Sequence, residues 1–438
     1  MRIQINDKNN FMNLFNKIFP DYKISKINGI SIDSRKIQEN DIFIPLKGEN
    51  CDGAEFIENV LKINGTICLH EKENKNKRII QTKSNKDFII KFASLWRKRI
   101  KSKIIAITGS NGKTTSKELL FHIINKKYNC NKSIGNYNST IGLPLSLISC
   151  DINHKYIILE LGANKKGEIK KLCKIIKPDY SLITNISNAH IKNYNSIQEI
   201  TQNKAEIFYS LSKKSGIAFV NLDDKEIKKI PLNSQSISYG INNNKAKYNA
   251  VTIDSNTLNI NGFNINISDK ISHLKEIILS IYTISRTLGI SNLEFQNYIN
   301  SFTPLNGRGN IISINNYKII DDAYNANPSS MYYAINRLNK IDNKRKIIIL
   351  GDMLELGKHK YIEHQKVGRY INKFNFDIVF TYGNYSYEIY KSLNNNYKIK
   401  KHFSNMNVMK KEFKKIVKKD DLVLIKGSRS MQLERLYK

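Results

Sequence analysis

The run TGSNGKTT, residues 108–115, has residue types and spacing that could bind phosphate. Gly109 and Gly112 let the backbone approach a ligand closely, and backbone N–H groups at a helix start attract anions. Lys113 would neutralise β- and γ-phosphate charge, and Thr114 offers a hydroxyl to Mg²⁺. The run therefore predicts a site for the phosphates of ATP. Its predicted nucleotide-binding residues are Gly109, Ser110, Asn111, Gly112, Lys113, Thr114 and Thr115.

The segments beside this loop are those that a phosphate site requires. KIIAIT (103–108) is apolar enough for a buried strand, and TTSKELLFHIINKKY (114–128) has the apolar spacing of a helix. The loop is short, because Ile107 stands where the commonest phosphate loop has its first glycine. A chance Gly-Lys-Thr would be unremarkable, but the order of strand, loop and helix favours a real site.

Length and composition bound the class of protein. With 438 residues, 40% of them hydrophobic, the chain suits roughly two to four packed domains. No apolar run is as long as a membrane span, and the N-terminus lacks the apolar region of a signal peptide. The five cysteines are widely spaced and never form a Cys-x-x-Cys pair, which disfavours structural zinc or a disulfide framework. We expect a cytoplasmic protein with free thiols.

The chain is strongly basic: 71 Lys and Arg against 38 Asp and Glu give a formal net charge of +33. The positive electrostatic potential that this charge creates would favour the binding of nucleic acid or of an anionic substrate. The basic residues are spread along the chain, without a single arm or an aromatic-interleaved stripe, which favours compositional drift. A nucleic-acid-binding ATPase stays open as an alternative.

Strand-like and helix-like segments alternate along most of the chain, which predicts an α/β fold with a mostly parallel sheet. The region before residue 84 has short strands and no nucleotide loop. A third block begins near Gly307 and has Rossmann-like alternation without a Gly-x-Gly-x-x-Gly loop. Further strands are predicted at 156–161, 180–186, 217–222, within 317–328, and at 346–352, 376–383 and 421–428, with helices from about 86, over 329–340 and near 360–372. The predicted domains are 1–84, 85–306 and 307–438.

Several motifs resemble those of one enzyme family. They are the loop 109–115, LELGAN (159–164) with GEI (167–169), TNI (184–186) with Ala189 and His190, and NKAEIF (203–208). Together they resemble the Mur ligase and folylpolyglutamate synthase superfamily, over nearly the whole chain. Those enzymes join an amine to a carboxylate through an acyl phosphate. The resemblance implies three domains, with a central P-loop-type sheet and a Rossmann-like C-terminal domain.

The same resemblance implies a metal site with two Mg²⁺ ions. Its ligands would be Thr114, Glu160, His190 and Lys204, the last as a carbamate formed with CO₂. Oxygen ligands suit Mg²⁺, whereas a single histidine is more often structural and a single helix lysine is more often solvated. Carbamate formation requires the neutral amine, so the pKa of Lys204 should be depressed. The implied catalytic residues are Lys113, Glu160, His190, Lys204 and Arg308.

Further segments narrow the resemblance within the family. SIDSRK (31–36) looks like part of a uridine-nucleotide region. DDAYNANPSSM (321–331), LGDMLELG (350–357) and KGSRS (426–430) are similar to the branch that adds D-alanyl-D-alanine. The implied substrates are UDP-N-acetylmuramoyl-tripeptide and D-alanyl-D-alanine, used by a monomeric enzyme. Sister ligases, which add the third amino acid or extend folate with glutamate, stay an alternative that would need a different third-domain motif.

Roles in the third block follow from the same resemblance. Arg308 would contact phosphate and Asp322 the ribose of ATP. An asparagine turn before Pro328 is also ordinary loop chemistry. The implied substrate-binding residues are Ser34, Arg35, Asn325, Asn327, Lys426, Ser428 and Arg429.

One segment departs from the family pattern. Members of the family carry a His-Asn-x-x-Asn helix start whose asparagines lie near the adenine. The corresponding segment keeps the histidine, His273, but has Leu274 and Ile277 at the asparagine positions. Either ATP binding is weaker here, or other groups supply the polar contacts.

Overall fold

The computed structural model describes residues 1–48, 51–187, 193–194 and 196–438. It confirms an α/β fold, built on three sheets of five, nine and six strands. Each sheet comes from one continuous part of the chain, and the three parts follow one another in sequence. The domain boundaries after residues 84 and 306 fall between these sheets and stay predictions.

The first sheet has the strand order β1-β2-β3-β4-β5. Its first strand runs antiparallel to the second, and the other neighbours are parallel. The elements are β1 (Arg2–Gln4), α1 (Lys8–Ile18), β2 (Gly29–Ser31), β3 (Asp41–Phe43), α2 (Ile57–Leu61), β4 (Ile67–His70) and β5 (Ile79–Gln81), followed by α3 (Asn85–Arg99).

Helix α3 joins the first sheet's helices to the central part of the chain. Ser84 caps its start by accepting a hydrogen bond from the Asp87 backbone N–H. Trp96, the one tryptophan, is fully buried and donates from Nε1 to the Cys150 carbonyl at 3.1 Å. Its ring lies parallel to that of Phe92 and 6.3 Å from that of Phe11 on α1. An aromatic cluster therefore holds these two parts together.

We expect Trp96→Ala to lower the stability of the protein by about 3–5 kcal/mol, because it removes a buried aromatic ring and leaves a cavity. Chemical unfolding followed by far-UV circular dichroism would show an earlier midpoint. Trp96→Phe keeps an aromatic ring while losing the bond to Cys150, so its loss should be clearly smaller. Equal midpoints for both variants and the parent would contradict the packing described.

The central sheet has the order β14-β13-β12-β11-β10-β9-β6-β8-β7. Strands from β7 to β12 pair in parallel, and β13 and β14 add antiparallel neighbours at one edge. The strands are β6 (Lys103–Thr108), β7 (Cys130–Lys132), β8 (Tyr156–Glu160), β9 (Tyr180–Ile183), β10 (Ile217–Asn221), β11 (Gln235–Ile241), β12 (Tyr248–Thr252), β13 (Thr257–Ile260) and β14 (Phe263–Asn266). The helices are α4 (Lys113–Ile124), α5 (Gly142–Ile148), α6 (Glu168–Ile176), α7 (Ile197–Tyr209), α8 (Lys275–Thr287) and α9 (Asn292–Ile299).

Strand β6 lies between β8 and β9, and all three run in the same direction. The segment after Lys103 is fully buried, because apolar side chains pack on both faces of this parallel sheet. Parallel strands bring their carboxyl ends to one edge, where ligands of α/β proteins usually bind. The loop after Thr108, Glu160 at the end of β8 and Thr184 after β9 therefore meet there.

The third sheet has the order β15-β16-β20-β17-β18-β19, with β15 antiparallel to β16 and the other pairs parallel. Isoleucine-rich strands form its core. The elements are β15 (Asn310–Ile314), β16 (Tyr317–Asp322), α10 (Pro328–Lys340), β17 (Lys346–Gly351), α11 (Lys360–Ile371), β18 (Ile378–Tyr382), α12 (Tyr387–Lys391), β19 (Ile399–Phe403), α13 (Met406–Ile416) and β20 (Leu422–Lys426). Within the described ranges, no helix is long and apolar enough to cross a membrane.

Candidate functional site

The loop between β6 and α4 has the conformation that its glycines allow. Gly109 has φ 151° and Gly112 has φ 77°, and a Cβ at Gly109 would collide with the Thr184 hydroxyl. The loop is short because β6 continues through Ile107 to Thr108, whose hydroxyl donates to the Leu161 carbonyl at 2.9 Å. Ile107, which stands where the commonest phosphate loop has its first glycine, is thus a buried residue of strand β6.

Side chains after β9 hold the loop in place. The Asn111 carbonyl accepts hydrogen bonds from Thr184 Oγ1 at 2.6 Å and from Asn185 Nδ2 at 3.1 Å. The Asn111 N–H donates to Asn185 Oδ1 at 3.0 Å. Helix α4 begins after Gly112, which has no side chain to cap it, so its first N–H groups are open to an anion.

Two lysine amines point at the same loop carbonyl. Lys113 Nζ donates to the Gly109 carbonyl at 2.9 Å, and Lys204 Nζ from α7 donates to that oxygen at 3.0 Å. Burial lowers the pKa of Lys113. Burial, together with the nearby charge of Lys113, lowers the pKa of Lys204 to about 7. A large fraction of Lys204 is therefore neutral at neutral pH, as carbamate formation would require.

Glu160 lies buried at the end of β8, with 2% of its surface exposed. Its Oε2 accepts a hydrogen bond from Thr114 Oγ1 and its Oε1 accepts one from Asn138 Nδ2, both at 2.8 Å. Lys117 Nζ lies 3.9 Å from Oε2. A carboxylate in these surroundings is fixed in position beside the start of α4.

Lys117 and Asn138 were not among the sequence-predicted residues. Lys117 is fully buried and donates to the carbonyls of Ser133 at 3.1 Å and Gly135 at 2.7 Å. Its position one turn after Lys113 on α4 was a usable signal, since residues four apart share a helix face. Asn138 lies in an irregular segment after β7, where no periodic pattern marks it.

Arg308 reaches this cluster from the third block. Its Nη2 donates to Thr114 Oγ1 at 3.1 Å. Its guanidinium carbon lies 3.7 Å from the centroid of the Tyr324 ring, a cation–π contact that fixes its direction. The predicted grouping of Arg308 with the loop is therefore seen in the structure, and Tyr324 is a contact that the sequence did not reveal.

Asp322, Lys426 and Asn325 form a second polar group, where β16 and β20 end. Lys426 is 2% exposed and donates to Asp322 Oδ2 at 2.7 Å and to the Asn325 carbonyl at 3.0 Å. The Asn325 side chain is exposed. The buried Lys426 thus orients the carboxylate of Asp322, which by the family resemblance is expected to bind the ribose of ATP.

The start of α10 contacts the loop directly. Asn327 Nδ2 donates to Asn111 Oδ1 at 2.7 Å, and Asn111 Nδ2 donates to Ser329 Oγ at 2.8 Å. Elements of the second and third sheets therefore meet at the phosphate loop.

Comparison with known families accounts for this arrangement. Residues 26–101 match the model described as "Mur ligase family, catalytic domain", residues 107–283 match the "Mur ligase middle domain", and residues 307–429 match the "Mur ligase, glutamate ligase domain". The chain belongs to the Mur ligase family.

Curated relatives match this Mur ligase over almost all of its length. A protein of Buchnera aphidicola subsp. Baizongia pistaciae is 34% identical, covering 93% of this chain and 91% of its own. One of Bacillus subtilis is 29% identical, covering 96% and 94%. Both are named UDP-N-acetylmuramoyl-tripeptide--D-alanyl-D-alanine ligase. The crystal structure of MurF ligase from Thermotoga maritima in complex with ADP aligns with a TM-score of 0.82 and 26% identity, covering 93% of this chain and 95% of that one.

Other sequence-predicted residues of the Mur ligase lie outside the loop cluster. Arg35, which is exposed, pairs with Asp33 through Nε at 2.8 Å beside the first sheet, and Ser34 precedes it. The Arg35 guanidinium holds the pKa of Asp33 well below its usual range. Across the part of the chain that the structure describes, no hydrogen bond or ion pair joins Ser34 or Arg35 to the loop.

Ser428 and Arg429 follow β20. Ser428 Oγ accepts a hydrogen bond from the Leu354 backbone N–H at 3.0 Å, which ties it to the segment after β17. Arg429 donates to Glu434 at 2.7 Å and lies 6.0 Å from the Tyr324 ring. Thr115, the last of the predicted loop residues, is buried in the first turn of α4.

The segment that departs from the family pattern lies beside the loop. Ile277 Cδ1 would lie 3.1 Å from a Cβ placed on Gly112, and Leu274 is 8% exposed in the apolar core. Burial lowers the pKa of His273 to about 3, so this ring is neutral. Of the two positions where the resemblance expects asparagine, Ile277 is therefore apolar surface beside the loop and Leu274 is part of the apolar core.

Two predicted features fall on residues that are not described. His190, expected as a metal ligand, lies outside the described residues, as does Ala189 beside it. Among the described residues, no group of three or more His, Cys, Asp and Glu could hold a metal ion. Thr114, Glu160 and Lys204 are the described members of the expected ligand set.

Proposed function

We propose that this Mur ligase adds D-alanyl-D-alanine to UDP-N-acetylmuramoyl-tripeptide with ATP, giving the UDP-pentapeptide precursor of peptidoglycan. The tripeptide's terminal carboxylate attacks the γ-phosphorus, the bond to ADP breaks, and an acyl phosphate forms. The dipeptide amine then attacks the acyl carbon, loses a proton, and phosphate leaves. The reaction takes place in the cytoplasm, and the enzyme works as a monomer.

The observation that carries this proposal is the match to relatives bearing that one activity in their names, over more than nine-tenths of both chains. The geometry agrees with it. A phosphate loop, a buried carboxylate and the DDAYNANP segment of the third block meet at one sheet edge. A general nucleotide-binding protein would not need the last of these.

In this proposal the loop holds the triphosphate of ATP. The open N–H groups at the start of α4 donate to phosphate oxygens, and the Lys113 amine turns from the Gly109 carbonyl towards the β- and γ-phosphates. Arg308, oriented by Tyr324, places its guanidinium beside the same phosphates. Asp322, held by Lys426, hydrogen bonds to the ribose hydroxyls. These charges reduce repulsion between the attacking carboxylate and ATP.

The donor set fits Mg²⁺. Thr114 Oγ1 and Glu160 Oε2 lie 2.8 Å apart, and both are the hard oxygen atoms that this ion prefers. We assign Thr114 and Glu160 to one ion, with His190 and a carbamate on Lys204 completing a second site. Bound there, Mg²⁺ would screen the negative charge of the phosphates.

Carbamylation of Lys204 has local support. The amine is buried, its pKa is near 7, and it points at the loop beside Lys113. The neutral nitrogen forms a bond to the carbon of CO₂ and releases one proton. The resulting carbamate carries one negative charge, which would offset the positive charge of the neighbouring Lys113.

The remaining predicted residues contribute substrate contacts. Residues 1–84 bind the UDP end through Ser34 and Arg35, residues 85–306 bind ATP, and residues 307–438 bind the dipeptide. In the last range Asn325 and Asn327 would place the dipeptide, and Lys426, Ser428 and Arg429 are the other proposed substrate-binding residues. Closure of these parts around the substrates would exclude water from the acyl phosphate.

The first prediction tests the activity itself. With ATP, Mg²⁺ and UDP-N-acetylmuramoyl-tripeptide present, we expect D-alanyl-D-alanine to raise phosphate release at least about tenfold, because only the amine completes turnover of the acyl phosphate. A coupled phosphate assay with and without the dipeptide measures this. The analogue D-lactyl-D-alanine, which has a hydroxyl in place of the free amine, is the matched control and should not raise phosphate release.

Two other outcomes would replace the proposal. Phosphate release that instead requires the UDP-linked dipeptide with a third amino acid, or folate with glutamate, would indicate a sister ligase. Release stimulated by DNA or RNA alone would indicate that the +33 charge serves nucleic-acid binding.

A further inference from the structure

Three side chains close a ring of hydrogen bonds between the phosphate loop and α10. Asn111 Nδ2 donates to Ser329 Oγ at 2.8 Å, Ser329 Oγ donates to Asn327 Oδ1 at 2.9 Å, and Asn327 Nδ2 donates back to Asn111 Oδ1 at 2.7 Å. Asn111 is separated from its two partners by more than 200 residues of sequence. We call these three residues the loop–helix ring.

The direction of each bond in the ring follows from a backbone donor. Asn327 is the N-cap of α10, and its Oδ1 accepts the Ser330 N–H at 2.9 Å. Because a backbone N–H can only donate, the oxygen of this amide must face the helix and its NH₂ must face the loop. Asn111 must then offer its oxygen to Asn327 and its NH₂ to Ser329. Bonds that all run one way round a ring strengthen one another.

The ring is tied on to a third segment. Ser187, which follows β9, lies 2.9 Å from Ser329 Oγ and 3.4 Å from Asn111 Nδ2. Its backbone N–H donates to Ser110 Oγ in the loop at 2.9 Å. The ring and Ser187 therefore fix the position of α10 relative to the phosphate loop and to the segment that follows β9.

We propose that the loop–helix ring couples the phosphate loop to the dipeptide-binding turn, with Asn111 and Ser329 as positioning residues. This inference rests on the proposed function. Asn327 uses its oxygen on α10 and one N–H on Asn111, so its side chain is oriented by the ring before it meets a ligand. We expect the dipeptide to bind only when the turn before α10 is in contact with the phosphate loop. Each hydrogen bond that stabilises this contact therefore raises the affinity for the dipeptide.

The ring should not change the affinity for ATP in this way, because ATP binds the loop backbone whether or not α10 contacts the loop. Asn111→Ala keeps the loop's backbone bonds to Asn185, and Ser329→Ala keeps the α10 cap at Asn327. Each variant should raise the KM for D-alanyl-D-alanine about tenfold. Ser329→Ala, which lies outside the predicted nucleotide-binding residues, should keep the Kd for ATP within about twofold of the parent by calorimetry. The thermal midpoints of both variants should match the parent's.

The double variant separates a coupled ring from two independent contacts. If the three residues act together, Asn111→Ala with Ser329→Ala should resemble either single variant, since each already opens the ring. Asn339→Ala, at an exposed position on α10, is the matched control and should leave the KM unchanged. A roughly hundredfold double effect, or weakened ATP binding with an unchanged dipeptide KM, would overturn the proposal. If the parent enzyme shows no dipeptide-dependent turnover, the proposed function fails instead.

Discussion

Glu160→Gln should lower kcat/KM at least about a hundredfold, because it removes the buried negative charge at the centre of the proposed metal and phosphate site. Glutamine has the same shape but is neutral, and one of its two ends is an NH₂ group. Thr114 and Asn138 both donate to this side chain, so one of them would face a donor. Steady-state phosphate release at several Mg²⁺ concentrations measures the effect.

The dependence on Mg²⁺ distinguishes this role from a structural one. We expect Glu160→Gln to require more Mg²⁺ for half-maximal rate, and Glu160→Asp to lie between that variant and the parent because it keeps the charge with a shorter reach. Glu363→Gln, at an ion pair with Lys366 on α11, is the control and should leave the rate unchanged. A Glu160→Gln enzyme within a few-fold of the parent at every Mg²⁺ concentration would exclude the proposed metal role.

Much of the fold could be predicted from the sequence, because its strongest signals are local. The strand at 103–108, the loop and the following helix are consecutive, and each has a clear apolar pattern. The isoleucine-rich strands of the third sheet are equally distinct, as at 346–351. The antiparallel strands β13 and β14 were not predicted. Their segments, TLNI and FNIN, are short and asparagine-rich, so pairing with neighbours rather than composition makes them strands.

The residues of the candidate site also fall into those that local sequence signals predict and those that depend on packing between distant segments. The loop residues were identified from their own spacing, and Glu160 and Lys204 from the resemblance of their segments to the motifs of the Mur ligase family. Lys117 and the ring of Asn111 with α10 were missed, because their partners lie in other segments and only the packing of three sheets brings them together. The adjacency of Ile277 and Gly112 needed the structure for the same reason.

Lys204→Ala should abolish turnover, with a loss of about a thousandfold, if a carbamate on this residue supplies an anionic ligand at the site. The buried amine donates to the Gly109 carbonyl at 3.0 Å, so the substitution removes this group from beside the loop. Added formate or acetate should restore part of the activity, because a small carboxylate can occupy the space that alanine leaves and supply the missing oxygens. Lys170→Ala, at an exposed position on α6 that pairs with Glu206, should keep parental activity with or without carboxylate.

The pH dependence of reactivation follows from the pKa of Lys204. Enzyme freed of CO₂ at low pH should regain activity when dissolved CO₂ is supplied at the same concentration at each pH, and faster at pH 8 than at pH 6. With a folded pKa of about 7, the neutral amine rises from about one-tenth to about nine-tenths of the population between those values. Because burial lowers this pKa below that of a free lysine, the reactive form is gained as pH rises and lost as it falls. Full activity of Lys204→Ala without any carboxylate, or reactivation that is equally fast at both pH values, would rule out the carbamate.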